Sequence, residues 1–295
     1  MGSDSLRSRI RAFRYHDDEQ DAADQLTESL RVDSPFLLAK TGPKSPHKVH
    51  KPSSSTKRRS TATVSKSRQK APTPAPRALP DLPPCLTTEQ QVLFVGYNPG
   101  VESSLQQHHY AHFTNLFWKL FNQSQLFTKV LQRIQYDLKD PLLEEPSIRP
   151  HHDNDLIRFK IGFTDLVLRC TKTAQELSMA EKLANVPRLF QEFQFTQSRY
   201  LVFIGKGIWE IIVKYLATKL AIKVKLTKGN FAWGEQKIRD GTGEDVRLYN
   251  YMLKAARKEI PEITRIYVFP NTSGLVASLS FGEKLALWVD LVEQI

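Results

Sequence analysis

Residues 91–100 read QVLFVGYNPG. Five of the first six residues are apolar or glycine, and the run stops at Gly96, Pro99 and Gly100. It is too short for a helix, and its turn residues close it, so Gln91–Tyr97 predicts a strand buried on both faces. Downstream, Tyr200–Ile204 (YLVFI) and Arg265–Phe269 (RIYVF) repeat the pattern, while Ile222–Leu226 (IKVKL) alternates and predicts an outer strand. Between them lie stretches of helical spacing. Asn115–Gln123 carries Leu116, Leu120 and Phe121 on one side, and Ile208–Leu216, Val246–Lys258 and Phe281–Ile295 follow. Strands alternating with helices predict an α/β fold: a three-layer α/β/α sandwich around a mostly parallel central sheet.

Upstream the composition changes. The chain has 295 residues and a net charge of +11, and that excess is localised. Ser34–Pro80 holds 11 Lys/Arg and no Asp or Glu, whereas residues 1–33 sum to −3 and residues 81–295 to +3. The stretch 40–80 is rich in Pro, Ser, Thr and Lys and poor in large apolar residues, so it cannot offset the entropy of ordering and is expected to be disordered. Three segments follow: 1–33, with a short helix expected within 5–31; 34–84, a basic linker or tail; and 85–295, the folded domain. A basic arm of this kind displaces counterions from phosphates and binds nucleic acid without reading sequence, although a solvated linker is the plainer reading. Lys57-Arg58-Arg59 matches a nuclear import signal, which sets the expected location as the nucleus. The start lacks an apolar h-region, no stretch has the length of a membrane span, and two distant cysteines exclude a disulfide scaffold, a four-cysteine zinc site and a cysteine-ligated iron–sulfur cluster. No membrane association is expected.

In open α/β sheets ligands bind at the carboxyl ends of the strands. Three loops there are unusual. Gly96-Tyr97-Asn98-Pro99-Gly100 holds an amide in a rigid turn, though alone an Asn-Pro-Gly sequence is most often just a turn. Val101–Phe113 (VESSLQQHHYAHF) combines hydroxyls, amides, three histidines and Tyr110. His108 and His112 have i, i+4 spacing but no Glu in the zincin position, so no metal or other cofactor is expected. Pro270–Ser278 (PNTSGLVAS) is small and polar except for Leu275, which either packs on the last helix or protrudes as an apolar wedge able to enter a base stack. Lys206 reads as a surface or phosphate-contacting lysine, not a Schiff-base nucleophile. The absence of a Gly-rich phosphate loop after the first strand argues against a dinucleotide or P-loop enzyme.

Together these loops resemble those of the mismatch-specific thymine/uracil-DNA glycosylases, within the uracil-DNA glycosylase superfamily, from about Gln91 to the end. Gly96–Gly100 is similar to the family's Gly-Ile-Asn-Pro-Gly motif, with Tyr97 in place of Ile. Asn115-Leu116-Phe117-Trp118 is similar to its Asn-x-Phe-Trp helix start, and His108-His109-Tyr110 falls where the family places the aromatic residue that stacks on a flipped base. Ile161–Val167 (IGFTDLV), Phe203–Gly207 (FIGKG) and Pro270–Leu275 (PNTSGL) resemble three further family segments. The chain departs from the pattern at Gln106-Gln107, where glycines are common, at Thr272, and at Val276-Ala277, where some relatives carry an Arg.

The resemblance implies a monofunctional DNA glycosylase that everts uracil or thymine, and related damaged bases, from mismatches with guanine in double-stranded DNA and hydrolyses the N-glycosidic bond. This would initiate base excision repair by a monomer that hands an abasic site to processing enzymes. It assigns the catalytic water to Asn98, helped by Thr164; the base to Tyr110, His109 and groups near Tyr97 and Ser103; and the wedge and DNA backbone to Asn271, Ser273, Gly274 and Leu275. Eversion costs a few kcal/mol and is easiest at a mismatch, which is itself selective. An amide is a poor general base, so such a site works slowly, by positioning and by electrostatic stabilisation of the departing base. From another class, a non-catalytic protein that recognises distorted duplexes and recruits repair factors fits the same surface.

Overall fold

Five segments assemble into one sheet in the computed structural model, which describes residues 79–136, 140–274 and 279–295. Strands β1 (Val92–Gly96), β2 (Ile161–Asp165), β3 (Tyr200–Ile204) and β5 (Arg265–Phe269) run parallel, and the two-residue β4 (Gly234–Glu235) adds an antiparallel edge. The order is β2-β1-β3-β5-β4. Each five-residue strand is almost wholly buried, as a sheet covered on both faces requires.

The period of two along each strand sorts its side chains into two cores. Leu93, Val95, Leu201, Phe203, Ile266 and Val268 face helices α4 (Met179–Thr196), α5 (Lys206–Lys219) and α6 (Glu244–Ala256). Phe94, Phe163, Val202, Ile204, Tyr267 and Phe269 face α2 (Phe117–Gln123), α3 (Leu126–Ile134) and α7 (Phe281–Gln294). The second core is aromatic: Phe94 stacks on Phe163 and Trp288 and meets Phe117 edge-on at 5.0 Å. The expected α/β/α sandwich is therefore present. A six-residue helix, α1 (Val101–Gln106), follows β1 on the loop side.

Two local expectations are corrected. Ile222–Leu226 forms no ladder. Its apolar residues Ile222, Val224 and Leu226 pack on the α5/α6 core while the lysines between them point outward, so the alternation is realised in an extended segment beside helices. The outer strand is β4 instead. The fold also begins before residue 85, because Leu82 is buried and its amide donates to Leu168 O at 3.3 Å. Cys85 then bridges to Phe163 of β2. The expected helix within 5–31, the basic tail up to residue 78 and Lys57-Arg58-Arg59 lie outside the described residues, as does Leu275. Among the described residues no helix is long and apolar enough to cross a membrane.

Candidate active site

The chain reverses its direction of sheet growth at β1, with β2 on one side and β3 on the other, and the loops leaving β1, β2, β3 and β5 converge at their carboxyl ends. They enclose a cavity of about 900 Å³. Of the expected site residues, Tyr97, Asn98, Ser103, His109, Tyr110, Asn271, Ser273 and Gly274 line it.

Asn98 follows β1, and its amide is oriented by a chain of hydrogen bonds. The Thr171 hydroxyl donates to Thr173 O at 2.8 Å, so its oxygen is left to accept. Asn98 Nδ2 donates to that oxygen at 2.8 Å and to Pro99 O and Arg169 O at 3.2 Å each. The amide nitrogen is thus saturated, and Oδ1 is the acceptor left for the cavity. The Tyr97 carbonyl accepts from Val167 N, and the Tyr97 ring packs under Lys182 Nζ at 5.4 Å. Ser103 Oγ accepts from Ala111 N at 3.1 Å and so braces the following loop.

That loop carries Tyr110 at φ 54°, in the left-handed region that a bulky residue adopts only when its surroundings hold it there. Phe117 at the start of α2 does so: the two rings stack 3.9 Å apart and 3° from parallel. Trp118 Nε1 donates to His109 O at 3.1 Å, and Asn115 Oδ1 accepts from Phe117 N and starts the helix. The Asn-x-Phe-Trp segment is therefore the rear wall of the Tyr110 position. The Tyr110 hydroxyl is buried with no hydrogen-bond partner among the described residues, and burial, then the charge of Asp165, raises its pKa well above the ordinary 10.

The neighbouring histidines are held by Asp153, which is fully buried. Its carboxylate accepts from His109 N and His109 Nδ1, both at 2.8 Å, from His108 Nδ1 at 2.9 Å and from Asn154 N at 2.7 Å. Burial pushes this carboxyl up, but the bonds from His109 and His108 outweigh it and hold it below its usual pKa. His112 does not join them; its Nδ1 lies 2.9 Å from Thr114 Oγ1. Cys85, His109 and Asp153 bring three possible metal-ligand atoms within 4.8 Å of one another. Of these, His109 Nδ1 is bound to Asp153 Oδ2, while Cys85 is pushed up to about 12 by burial, then by Asp153 and Asp165, and its thiol donates to Asn154 Oδ1 at 3.1 Å.

At the end of β2 the structure places a residue that the sequence did not single out for chemistry, Asp165. It lines the cavity, is 5% exposed, and its side chain has no hydrogen-bond partner among the described residues. Burial raises its pKa to about 6, with Glu192 adding to the rise and His109 and Arg188 opposing it. Gly96 makes room for it, since a Cβ there would lie 2.0 Å from Asp165 Oδ1. Arg188 of α4 fixes the backbone beneath, donating to Asp165 O at 2.6 Å and Leu166 O at 3.0 Å. Thr164 faces the other way. It is fully buried, and its hydroxyl donates to Glu192 Oε2 at 2.8 Å on the α4 side. Alternation along β2 puts it in the opposite core, and the threonine that meets Asn98 is Thr171.

The β5 loop closes the cavity. Asn271 Oδ1 accepts from Ser273 N at 2.8 Å, and Thr272 O accepts from Leu116 N at 2.8 Å. A Cβ at Gly274 would sit 2.9 Å from both Thr114 O and Thr114 Oγ1, so glycine there is what lets the two loops meet. Lys172 and Lys206 add positive charge at the rim, with Lys206 paired to Glu210 at 3.3 Å. Neither Thr171 nor Asp153 carries a sequence signal of its own, because each acts on a partner distant in the chain.

The uracil DNA glycosylase superfamily model matches residues 83–292, the segment that builds both the sheet and this cavity. The chain is also 26% identical over 221 residues to a protein of Schizosaccharomyces pombe named G/U mismatch-specific uracil DNA glycosylase; the match covers 75% of this chain and 55% of that protein. The chain thus spans about half the length of the curated relative it matches. With the family model covering all five strands and the loops at their carboxyl ends, the chain belongs to the uracil DNA glycosylase superfamily.

Proposed function

We propose that the protein is a monofunctional DNA glycosylase that hydrolyses the N-glycosidic bond of uracil, and of thymine, chiefly opposite guanine. The observation that carries this reading is the amide of Asn98, whose nitrogen is tied down by Thr171, Pro99 and Arg169 while its oxygen is left for the cavity. A water accepted by that oxygen and held beside Thr171 is aimed at the anomeric carbon of an everted nucleotide. The ring of Tyr110, backed by Phe117, supplies the stacking surface for the base. As the bond breaks, negative charge grows on the base and positive charge on the sugar, and fixed dipoles lower the barrier. With no carboxylate at position 98 the water gains little from proton abstraction, so the reaction is slow and depends on how easily the base leaves. Asn271 and Ser273 suit contacts to the flanking phosphates, and Leu275 suits the gap left in the duplex. A basic arm would add salt-sensitive affinity, slow product release and pass the abasic site to processing enzymes in the nucleus.

The test is a single-turnover assay on duplexes holding G·U, G·T or A·U, with alkali cleavage of the abasic product. We expect release fastest from G·U, and a loss of about 100-fold or more in Asn98→Ala, the scale of removing an oriented catalytic group, with duplex binding retained. Binding of mismatched duplexes without release of any base would favour the non-catalytic reading.

A further inference from the structure

A lone apolar side chain on a protein surface needs no explanation of its own. Phe113 differs in degree and in place. Six other large apolar residues are 43–64% exposed, whereas Phe113 is 90% exposed. Its chain neighbours His112 and Thr114 are exposed and line the mouth of the cavity. Phe113 occupies the tip of a tight turn, closed by Asn115 N donating to His112 O at 2.8 Å. The turn is held at both ends, where Ala111 N donates to Ser103 Oγ at 3.1 Å and Leu116 N donates to Thr272 O at 2.8 Å. Thr114 N also donates to His112 Nδ1 across it at 3.3 Å, and Thr114 abuts Gly274 of the β5 loop. The ring is thus presented on a rigid support, and little ordering is left for a partner to impose. The His112 ring lies 4.8 Å away and 22° from parallel, so it backs one face of Phe113 and leaves the other open. An open π-face held in this way suits a second flat ring.

The superfamily acts on DNA, and a cavity that admits an everted nucleotide meets the duplex with its rim. On that rim Lys172 and Lys206 supply charge suited to phosphates, and Phe113 supplies apolar surface. A nucleotide that leaves the stack deprives the next base in its strand of a stacking neighbour. We propose that Phe113, backed by His112, stacks on the base adjoining the everted nucleotide and thereby holds the opened duplex against closing. This rests on the reading of the cavity as the seat of an everted nucleotide, and it adds a contact outside that cavity. The contact exists only after eversion, because in a closed duplex both faces of the neighbouring base are covered.

The experiment uses the full chain and two duplexes of one sequence. One is fully paired. The other carries 2′-fluoro-2′-deoxyuridine opposite guanine; the fluorine disfavours positive charge on the sugar, so the base can be everted but stays attached. Affinities are read by fluorescence anisotropy. We expect Phe113→Ala to bind the fluorinated duplex about 5–100-fold more weakly than wild type, the range for one aromatic–base stack, and the paired duplex within about threefold of wild type. Phe113→Tyr keeps the ring and should stay within about threefold of wild type on both. Phe113→Leu keeps apolar bulk without a π-face and should behave as Phe113→Ala. Phenylalanine carries no charge, so the dependence of affinity on salt should keep its slope in every variant. The side chain is almost wholly outside the core, so each variant should unfold in urea at the wild-type midpoint. Wild-type affinity for the fluorinated duplex in Phe113→Ala or Phe113→Leu, or an equal loss on the two duplexes, overturns the proposal. A wild-type protein that binds the two duplexes alike and releases no uracil from an unmodified G·U duplex overturns the functional reading, and the proposal with it.

Discussion

Two buried aspartates flank the same histidine and behave in opposite ways. Asp153 accepts hydrogen bonds from both histidines and from two backbone amides, and its pKa is lowered. Asp165 is about as buried, yet its side chain has no hydrogen-bond partner among the described residues, and its pKa rises to about 6. Burial pushes both in the same direction, so the difference comes from partners. The first carboxylate is part of the scaffold, with every lone pair engaged. The second faces the cavity, where a perturbed carboxyl with no hydrogen-bond partner among the described residues is a candidate functional group.

The largest expected effect removes the partnered carboxylate. In Asp153→Ala the His109 N–H, both imidazoles and the Asn154 amide lose their acceptor in a closed site. We expect a loss of about 3–5 kcal/mol in urea unfolding, the cost of breaking a buried charged network by deleting one side of it. A loss below 1 kcal/mol would mean that water already serves these donors and would erase the contrast.

The unpartnered carboxylate predicts a gain in place of a loss. The pKa of Asp165 is raised in the folded state, so its stabilising contribution is complete below the unfolded value near 3.8 and is lost as pH rises through about 6. A difference of about two units corresponds to about 3 kcal/mol. Asp165→Asn does not titrate. Measured against wild type, it should therefore gain about 3 kcal/mol in relative unfolding free energy between pH 3 and pH 8, with most of the change complete by pH 6.5. A difference that stays flat across this range would place a partner on Asp165.

The strands on which these residues sit were legible because burial on both faces writes itself as an unbroken apolar run: β1, β3 and β5 are read directly from VLFV, YLVFI and RIYVF. Helix α4 was not, because Pro187 lies inside it and a local rule would break the helix there. The burial of Val186, Leu189, Phe190 and Phe193 carries the helix through. Strand β4 has two residues and no pattern to read. That Asn98 and Tyr110 line the cavity was legible from turn chemistry and family motifs. Thr171 and Asp153 were not, because they stand 73 and 44 residues from the groups they orient. Thr164, expected to help hold the water, lies on the opposite face because a one-residue step along a strand reverses it, and the register of β2 against β1 shows which side it takes.

The smallest effect tests why Asp165 can sit where it does. Gly96 is the last residue of β1 and pairs with Asp165 across the sheet. A methyl group there would lie 2.0 Å from Oδ1 and 3.1 Å from the Tyr110 hydroxyl. Gly96→Ala should therefore cost about 2 kcal/mol in urea unfolding, within the range for overpacking a closed site. The mechanism is specific, because the group in the way is one short side chain and not backbone. In an Asp165→Ala background the same substitution should cost less than about 0.5 kcal/mol, a coupling that a general strain at the end of β1 would not produce. Equal costs in the two backgrounds would assign the glycine to the backbone turn before Asn98 and leave the placement of Asp165 to Arg188, which grips the carbonyls of Asp165 and Leu166 from the other side of the strand.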